Sequence, residues 1–424
     1  MIARVVKLLQ RGPVAQLAKI VIYSTLLFTA TVYLMTYAGL AVAALIRRKR
    51  DYRFPHCPLD PVEVDGNQLK IFNYGHETFR DMLEAIDSAE HSIYLETYIL
   101  KGDIIGQRFK RHLVKKAQEG VKVYIAFDGY GSLLMPFGFR RWPKPVQVTV
   151  YGPLHSYLSF LWLGTYTRYH RKILVVDDKI AYLGGMNLGR EYATTWRDTH
   201  CRIEGPKAQE VSLAFAELWN KRHWLRKSLH INLPYHASSD ENQKLFVRES
   251  RPSGIFGQTT IRDTYIQAFK QARKHIRLTT PYFLPDEEME ADLLAALERG
   301  VRLDMIVPDS SNHAIVDLLA RPFYDRLAKA GGRIWLYQRT MIHSKTATID
   351  GFWSTIGSAN LDGRSLINYE INLFVRNEQF AARMEEMFRD DLANCRRARP
   401  DEFTRPGRFR LMLEILARPL RSFI

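Results

Sequence analysis

The chain carries one pattern twice. Tyr169-His170-Arg171-Lys172-Ile173-Leu174-Val175-Val176-Asp177 is followed after six residues by Gly184-Gly185-Met186-Asn187, and Ile342-His343-Ser344-Lys345-Thr346-Ala347-Thr348-Ile349-Asp350 is followed after six by Gly357-Ser358-Ala359-Asn360. In each copy His to Lys is two residues, His to Asp seven and His to Asn seventeen, and the copies stand 173 residues apart. A lone HxKxxxxD arises by accident in roughly one chain in twenty-five of this length, and the added Gly and Asn make each copy rarer by roughly a few hundred-fold. Two copies at one spacing mark a duplicated structural unit.

The flanks repeat as well. Residues 91–100 alternate as a strand, 103–119 read as a helix, and 121–127 as a second strand ending at Asp128-Gly129; residues 275–284, a helix near 286–299 and 301–307 follow the same order before the second copy. A strand, a crossover helix and a strand imply parallel pairing, so the predicted fold class is α/β, with helices covering a sheet in each half. The halves are expected over 54–225 and 258–395. A linker is expected over 226–257, where Pro234, Pro252, Gly254 and Gly257 stand among polar residues.

The 424 residues carry a formal charge of +16, which first suggests nucleic acid or an anionic membrane. Its placement separates the two. Residues 1–53 hold +8, residues 396–424 hold +5, and the 342 residues between hold only +3. Recognition of a nucleic acid backbone needs a dense basic surface, which a near-neutral body does not supply. From Ile20 to Ile46 none of the 27 residues is charged, and roughly 20 apolar residues cross the bilayer core as a helix. The run ends in Arg47-Arg48-Lys49-Arg50 rather than a small-residue cleavage site, so residues 1–53 are expected to be a membrane anchor with a single transmembrane helix. Four basic residues precede the span and five follow it, a slight excess that favours a cytoplasmic body. Residues 396–424 place Phe409, Leu413, Leu416, Leu420 and Phe423 at helical spacing among arginines, a basic amphipathic tail suited to anionic lipid or to capping the core. The three cysteines, Cys57, Cys201 and Cys395, are too few and too scattered for a disulfide framework or a thiolate metal site.

Residues two apart on a strand share a face, so each His projects with its Lys, and Asn187 and Asn360 arrive on the segment that returns after the turn at Asp177 or Asp350. The set offers two imidazoles, two ammoniums and two carboxamides. No cluster of carboxylates accompanies them, so metal-assisted phosphoryl chemistry has little support and no cofactor is expected. Imidazole can attack phosphorus, while Lys and Asn donate to the phosphodiester oxygens that carry charge through displacement. If the halves face each other, one His attacks and the other protonates the leaving alkoxide. An acidic residue on the far nitrogen of each ring would fix its tautomer. A single His or Lys at a strand start is more often a surface or capping residue; the duplication overturns that reading here.

With these residues in view, the chain resembles the phospholipase D superfamily, whose signature is a duplicated HxKxxxxD followed by GxxN. Within it the chain is most similar to the bacterial cardiolipin synthase family. The supporting segments are Ser92–Ile99, Gly120–Val123, Asp128–Ser132, Trp196–Pro206, Thr280–Asp286 and Gly357–Asn372, and the similarity spans about 65–395. The resemblance implies two tandem α/β/α sandwich halves packed with pseudo-two-fold symmetry. It also implies ping-pong phosphatidyl transfer between two phosphatidylglycerols through a phosphatidyl-histidine, with phosphatidylethanolamine left open as a donor. His170 would be the nucleophile and His343 the acid and then base, although the near-symmetry leaves the reverse open. Lys172, Lys345, Asn187 and Asn360 would hold phosphate. Asp198 and Glu370 would be the partners of the imidazoles, and Asp177 and Asp350 the motif's acidic members, more in support than in chemistry. Ser358 stands where the other half has Gly185, which makes the half-sites unequal if its hydroxyl assists phosphate binding. The implied location is the bacterial inner membrane. Hydrolysis of phospholipid to phosphatidic acid is the alternative reading; a nuclease suffers from the neutral body, and a non-catalytic membrane scaffold from the completeness of both motifs.

Overall fold

Two eight-stranded sheets carry the structure, a computed structural model that describes residues 23–24, 54, 56–152, 167–234, 243–251, 260–366, 368–399 and 401–403. The first sheet comprises β1 (Val62–Val64), β2 (Asn67–Phe72), β3 (Ser92–Thr97), β4 (Lys122–Asp128), β5 (Val146–Tyr151), β6 (Ile173–Val176), β7 (Ile180–Gly184) and β8 (His200–Glu204). The later strands are β9 (Leu245–Ser250), β10 (His275–Thr279), β11 (Phe283–Leu284), β12 (Arg302–Pro308), β13 (Arg333–Tyr337), β14 (Thr346–Ile349), β15 (Trp353–Gly357), β16 (Leu361–Asp362), β17 (Glu370–Arg376) and β18 (Cys395–Arg397). The sheet orders are β5-β4-β3-β6-β7-β8-β2-β1 and β18-β13-β12-β10-β14-β15-β17-β9. Aligned on the repeated motif, seven strands of one sheet match seven of the other in order. As the crossovers require, β3 pairs parallel with β4 and β10 with β12.

That alignment moves a boundary. β9 is the counterpart of β2 and lies antiparallel to β17, so the second half starts near Leu245, inside the expected 226–257 linker. The strand reads as linker because it is an edge: Arg248 and Glu249 interrupt an otherwise apolar run. The second half also ends later than expected, since β18 joins the sheet beside β13.

Helices α1 (Gly75–Asp87) and α2 (Ile104–Gln118) cover one face of the first sheet through Phe79, Leu83, Phe109 and Leu113. The short α3 (Arg190–Thr194) follows Asn187, and α4 (Ala208–Arg222) covers the other face through Val211 and Phe215. In the second half α5 (Thr260–Gln271), α6 (Glu287–Glu298) and α7 (Ala314–Lys329) pack through Phe269, Leu293, Phe323 and Leu327, and α8 (Glu378–Leu392) lies on the other face. The cluster that contains Leu183, Cys201 and Ile203 also contains Ile356, Ile371, Leu373 and Met384, so the two halves share one apolar core. Burying a Leu or Ile side chain contributes about 1.5–3 kcal/mol, and each half depends on the other for this face.

Among the described residues, 54–311 and 315–403 belong to one compact unit, which contains both halves. Among the described residues no helix is long and apolar enough to cross a membrane. The expected span at 20–46 lies outside the described residues except for Tyr23 and Ser24, which are helical and exposed. The amphipathic tail beyond Phe403 also lies outside them.

Candidate active site

Each motif strand ends in a hairpin whose two central residues have positive φ: Asp177 at 51° and Asp178 at 56°, Asp350 at 55° and Gly351 at 69°. This two-residue turn matches the right-handed twist of paired strands and favours Asp, Asn or Gly. From it the Asp177 carboxylate accepts the backbone N–H groups of Glu90, His91 and Ser92 at 2.7–2.8 Å, and Asp350 accepts those of Arg273, Lys274 and His275 at 2.7–2.9 Å. Burial opposes their ionisation, but three N–H donors outweigh it and hold both carboxyls below the ordinary aspartate value. The two motif aspartates placed with the catalytic set therefore do not reach the imidazoles. Each fastens its hairpin to the start of the neighbouring strand, β3 or β10.

The rest of the set converges where the halves meet, and each histidine takes its acidic partner from the other half. His170 Nδ1 lies 3.0 Å from the Glu370 carboxylate, and His343 Nδ1 lies 2.7 Å from Asp198 Oδ2. The backbone is exchanged in the same way: His170 N–H donates to Tyr369 O (2.9 Å), and His343 N–H donates to Arg197 O (2.7 Å). Lys172 and Lys345 fold back to donate to the carbonyl oxygens of His170 and His343, and Lys345 Nζ also lies 3.0 Å from His343 Nδ1. Tyr98 packs edge-on against His170, while Tyr192, Trp196 and Tyr282 surround His343.

Burial dominates the electrostatics. It pushes Lys172 down to about 7 and Lys345 down to about 8, and it pushes the Glu370 carboxyl up to about 7 against the pull of Lys172. Burial and then Lys345 hold the His343 imidazole well below its ordinary value, outweighing Asp198. An anionic phosphodiester between these groups would favour protonated lysines, which links substrate binding to proton uptake. No group of three or more His, Cys, Asp or Glu side chains is gathered to hold a metal among the described residues.

The half-sites differ in two places. Ser358 Oγ donates to Glu370 Oε2 at 2.6 Å and accepts the Ile371 N–H at 3.0 Å, so the serine braces the carboxylate rather than facing substrate alone. At the matching Gly185, a Cβ would stand 2.1 Å from Asp198 Oδ1, because that carboxylate occupies the space itself. Gly185→Ser is therefore expected to displace Asp198 and lower kcat by about a hundredfold or more, whereas Ser358→Gly, which removes one brace, lowers it by about tenfold. Turnover rates of the two purified variants test the order. The carboxamides differ too. Asn187 Oδ1 accepts the Ile99 N–H (2.9 Å) and its Nδ2 donates to Tyr192 OH (2.8 Å), which leaves at most one N–H for a ligand. Asn360 Oδ1 is buried without a hydrogen-bond partner.

Sequence reasoning missed Arg197 and Asp391. Arg197 is fully buried, donates to both Asp391 oxygens (2.8 and 2.7 Å), and reaches Asp198 O, Thr199 Oγ1 and Ser344 Oγ. Asp391 is 194 residues away on α8, and no local spacing announces the pair.

A duplicated α/β fold with paired imidazoles, each backed by a carboxylate from the other half, defines an enzyme of the phospholipase D superfamily. The family model described as "Cardiolipin synthase, PLD-like domain" matches residues 82–219 and 265–392, one stretch in each half, and the chain belongs to that family. It is 32% identical over 351 residues to a cardiolipin synthase of Clostridium perfringens strain 13, covering 80% of this chain and 73% of that protein. It is 32% identical over 340 residues to cardiolipin synthase A of Pseudomonas putida GB-1, covering 78% and 70%. The fold is also that of the crystal structure of a phosphatidylserine synthase from Haemophilus influenzae, with a TM-score of 0.68 at 15% identity over 91% of this chain and all of that one.

Proposed function

We propose that the chain is a phosphatidyltransferase that converts two phosphatidylglycerols to cardiolipin and glycerol. The observation that carries this reading is the reciprocal pairing of His170 with Glu370 and His343 with Asp198 across the halves. The exchange also supports a pseudo-two-fold relation between them. With each Nδ1 held by a carboxylate, Nε2 is the nitrogen that each ring presents to phosphorus or to a proton. One imidazole attacks the phosphorus of the first lipid, the P–O bond to glycerol breaks, and the other imidazolium gives its proton to the departing alkoxide. That second ring then takes the proton from the hydroxyl of another phosphatidylglycerol, whose oxygen displaces the histidine. Lys172, Lys345 and Asn360 hold the phosphate oxygens. The resemblance assigns attack to His170. The near-symmetry of the two His–carboxylate pairs leaves the reverse assignment open. Mapping the trapped phosphatidyl-histidine by mass spectrometry after an acid-free quench separates the two.

The decisive assay supplies phosphatidylglycerol alone, in detergent, to the purified protein. Cardiolipin with an equal amount of glycerol is expected; phosphatidic acid as the sole lipid product would replace this reading with hydrolysis. Location at the bacterial inner membrane, with a single-pass anchor at 20–46 and the body on the cytoplasmic side, is part of the same proposal and is supported by the apolar run and by the lipid substrate. Protease protection of the body in spheroplasts tests the orientation.

A further inference from the structure

Between β4 and β5 the chain makes a loop, 129–145, that is built to be rigid yet turns large apolar side chains outward. Leu133, Leu134 and Phe137 are 52%, 96% and 78% exposed. Their surroundings are tightly held. Ser132 and Met135 on either side of the leucines are buried, and Ser132 Oγ accepts the Leu100 N–H at 3.0 Å. Asp128 accepts the N–H groups of Tyr130 and Gly131 at 2.8 and 2.9 Å, and Gly131 packs so closely on Tyr98 that a Cβ would meet its carbonyl at 2.5 Å. Lys110 donates to Phe139 O and Arg141 O, and Arg140 donates to Leu133 O at 2.9 Å. Three large apolar groups fixed in water within five residues make an interaction surface rather than scattered exposure.

Charge identifies what covers it. The loop contains Arg140, Arg141 and Lys144 and no acidic residue. A short apolar tip ringed by basic and aromatic side chains suits the boundary between acyl chains and anionic headgroups. The loop is also rooted at the site: Asp128 Oδ2 accepts the N–H of Tyr169, next to His170, and Tyr98 packs on the His170 ring. We propose that Leu133, Leu134 and Phe137 insert into the surface of an anionic phospholipid bilayer and hold the catalytic pair against it, so that lipid substrates reach the site without leaving the membrane. This rests on the phosphatidyltransferase reading, which supplies the reason for a lipid surface beside the histidines.

The test uses the full chain reconstituted into vesicles of phosphatidylglycerol and phosphatidylcholine. Leu134→Cys, in a background with the partly exposed Cys57 and Cys395 changed to Ser, carries an environment-sensitive fluorophore. The expected result is quenching by spin-labelled phospholipid at least several-fold stronger than by aqueous iodide, and weaker in phosphatidylcholine alone. Quenching by iodide instead would overturn the proposal. So would protection from both quenchers, which would mean that a second copy or another segment of this chain covers the loop. Because the probe needs no turnover, it decides the surface even if no cardiolipin forms. In the unlabelled protein, Leu134→Glu with Phe137→Glu is expected to raise the vesicle concentration for half-maximal rate by roughly tenfold. Turnover of a monomeric short-chain phosphatidylglycerol should stay unchanged; an equal loss on both substrates would give the loop a merely structural role and overturn the proposal.

Discussion

Replacing either His170 or His343 with Ala is expected to lower kcat for cardiolipin formation by about 10⁴-fold, and replacing both is expected to cost little more than the worse single change. The non-additivity follows from the chemistry. A nucleophile without an acid faces an alkoxide that will not leave, and an acid without a nucleophile has nothing to expel, so either loss removes the whole route. Radiolabelled phosphatidylglycerol followed to cardiolipin, with a detection range of five decades, measures all three variants. Turnover within tenfold of the parent in His343→Ala would end the two-histidine mechanism. The trapped adduct should be absent at all times in the variant that lacks the attacking ring, whereas in the variant that lacks only the proton carrier it should form, but slowly, because glycerol then leaves unassisted.

Most of this site was legible in the sequence because its parts are local. The spacing of His170, Lys172 and Asn187 is set by one strand, one two-residue turn and one returning strand, and the second copy repeats all three. The pairing of Asp198 with His343 and of Glu370 with His170 came through the family resemblance; spacing alone could not supply it, since each bond joins residues 145 or 200 positions apart. One expectation gained its physical reason and one shifted. Asp177 and Asp350, expected to act more in support than in chemistry, keep their constant distance because a strand of fixed length ends in a turn that needs an acceptor for three N–H groups. The 226–257 stretch lost β9 to the second sheet because an edge strand carries charged residues that read as linker. The half-site inequality seen as Gly185 against Ser358 was legible as a difference but not as a cause: the cause is that Asp198 fills the volume a side chain would need.

Arg197→Ala is expected to be the most destabilising single change at the junction of the halves, at about 3–5 kcal/mol, because it strands the buried Asp391 carboxylate. The guanidinium also ties Asp198 O to Thr199 and Ser344, and the Arg197 carbonyl receives the His343 N–H, so the loss reaches the imidazole and its carboxylate together. A fall in kcat of about a hundredfold should accompany the loss of stability, with a smaller change in KM. The pH dependence separates a stranded charge from simple loss of packing. Burial already raises Asp391 above the ordinary aspartate value despite Arg197, and removing the arginine raises it further. A carboxyl whose folded-state pKa exceeds its unfolded value binds more protons when folded, so stability falls as pH rises from the unfolded pKa through the folded one. The deficit of Arg197→Ala relative to the parent should therefore be largest near pH 8 and shrink toward pH 5, as measured by denaturant unfolding of the detergent-solubilised protein. The double variant Arg197→Met with Asp391→Leu, which removes both charges and restores volume, should recover most of the stability but not the rate, because nothing then fixes Asp198 and Ser344 around His343. A deficit in Arg197→Ala that does not change with pH would mean that the arginine acts by packing alone.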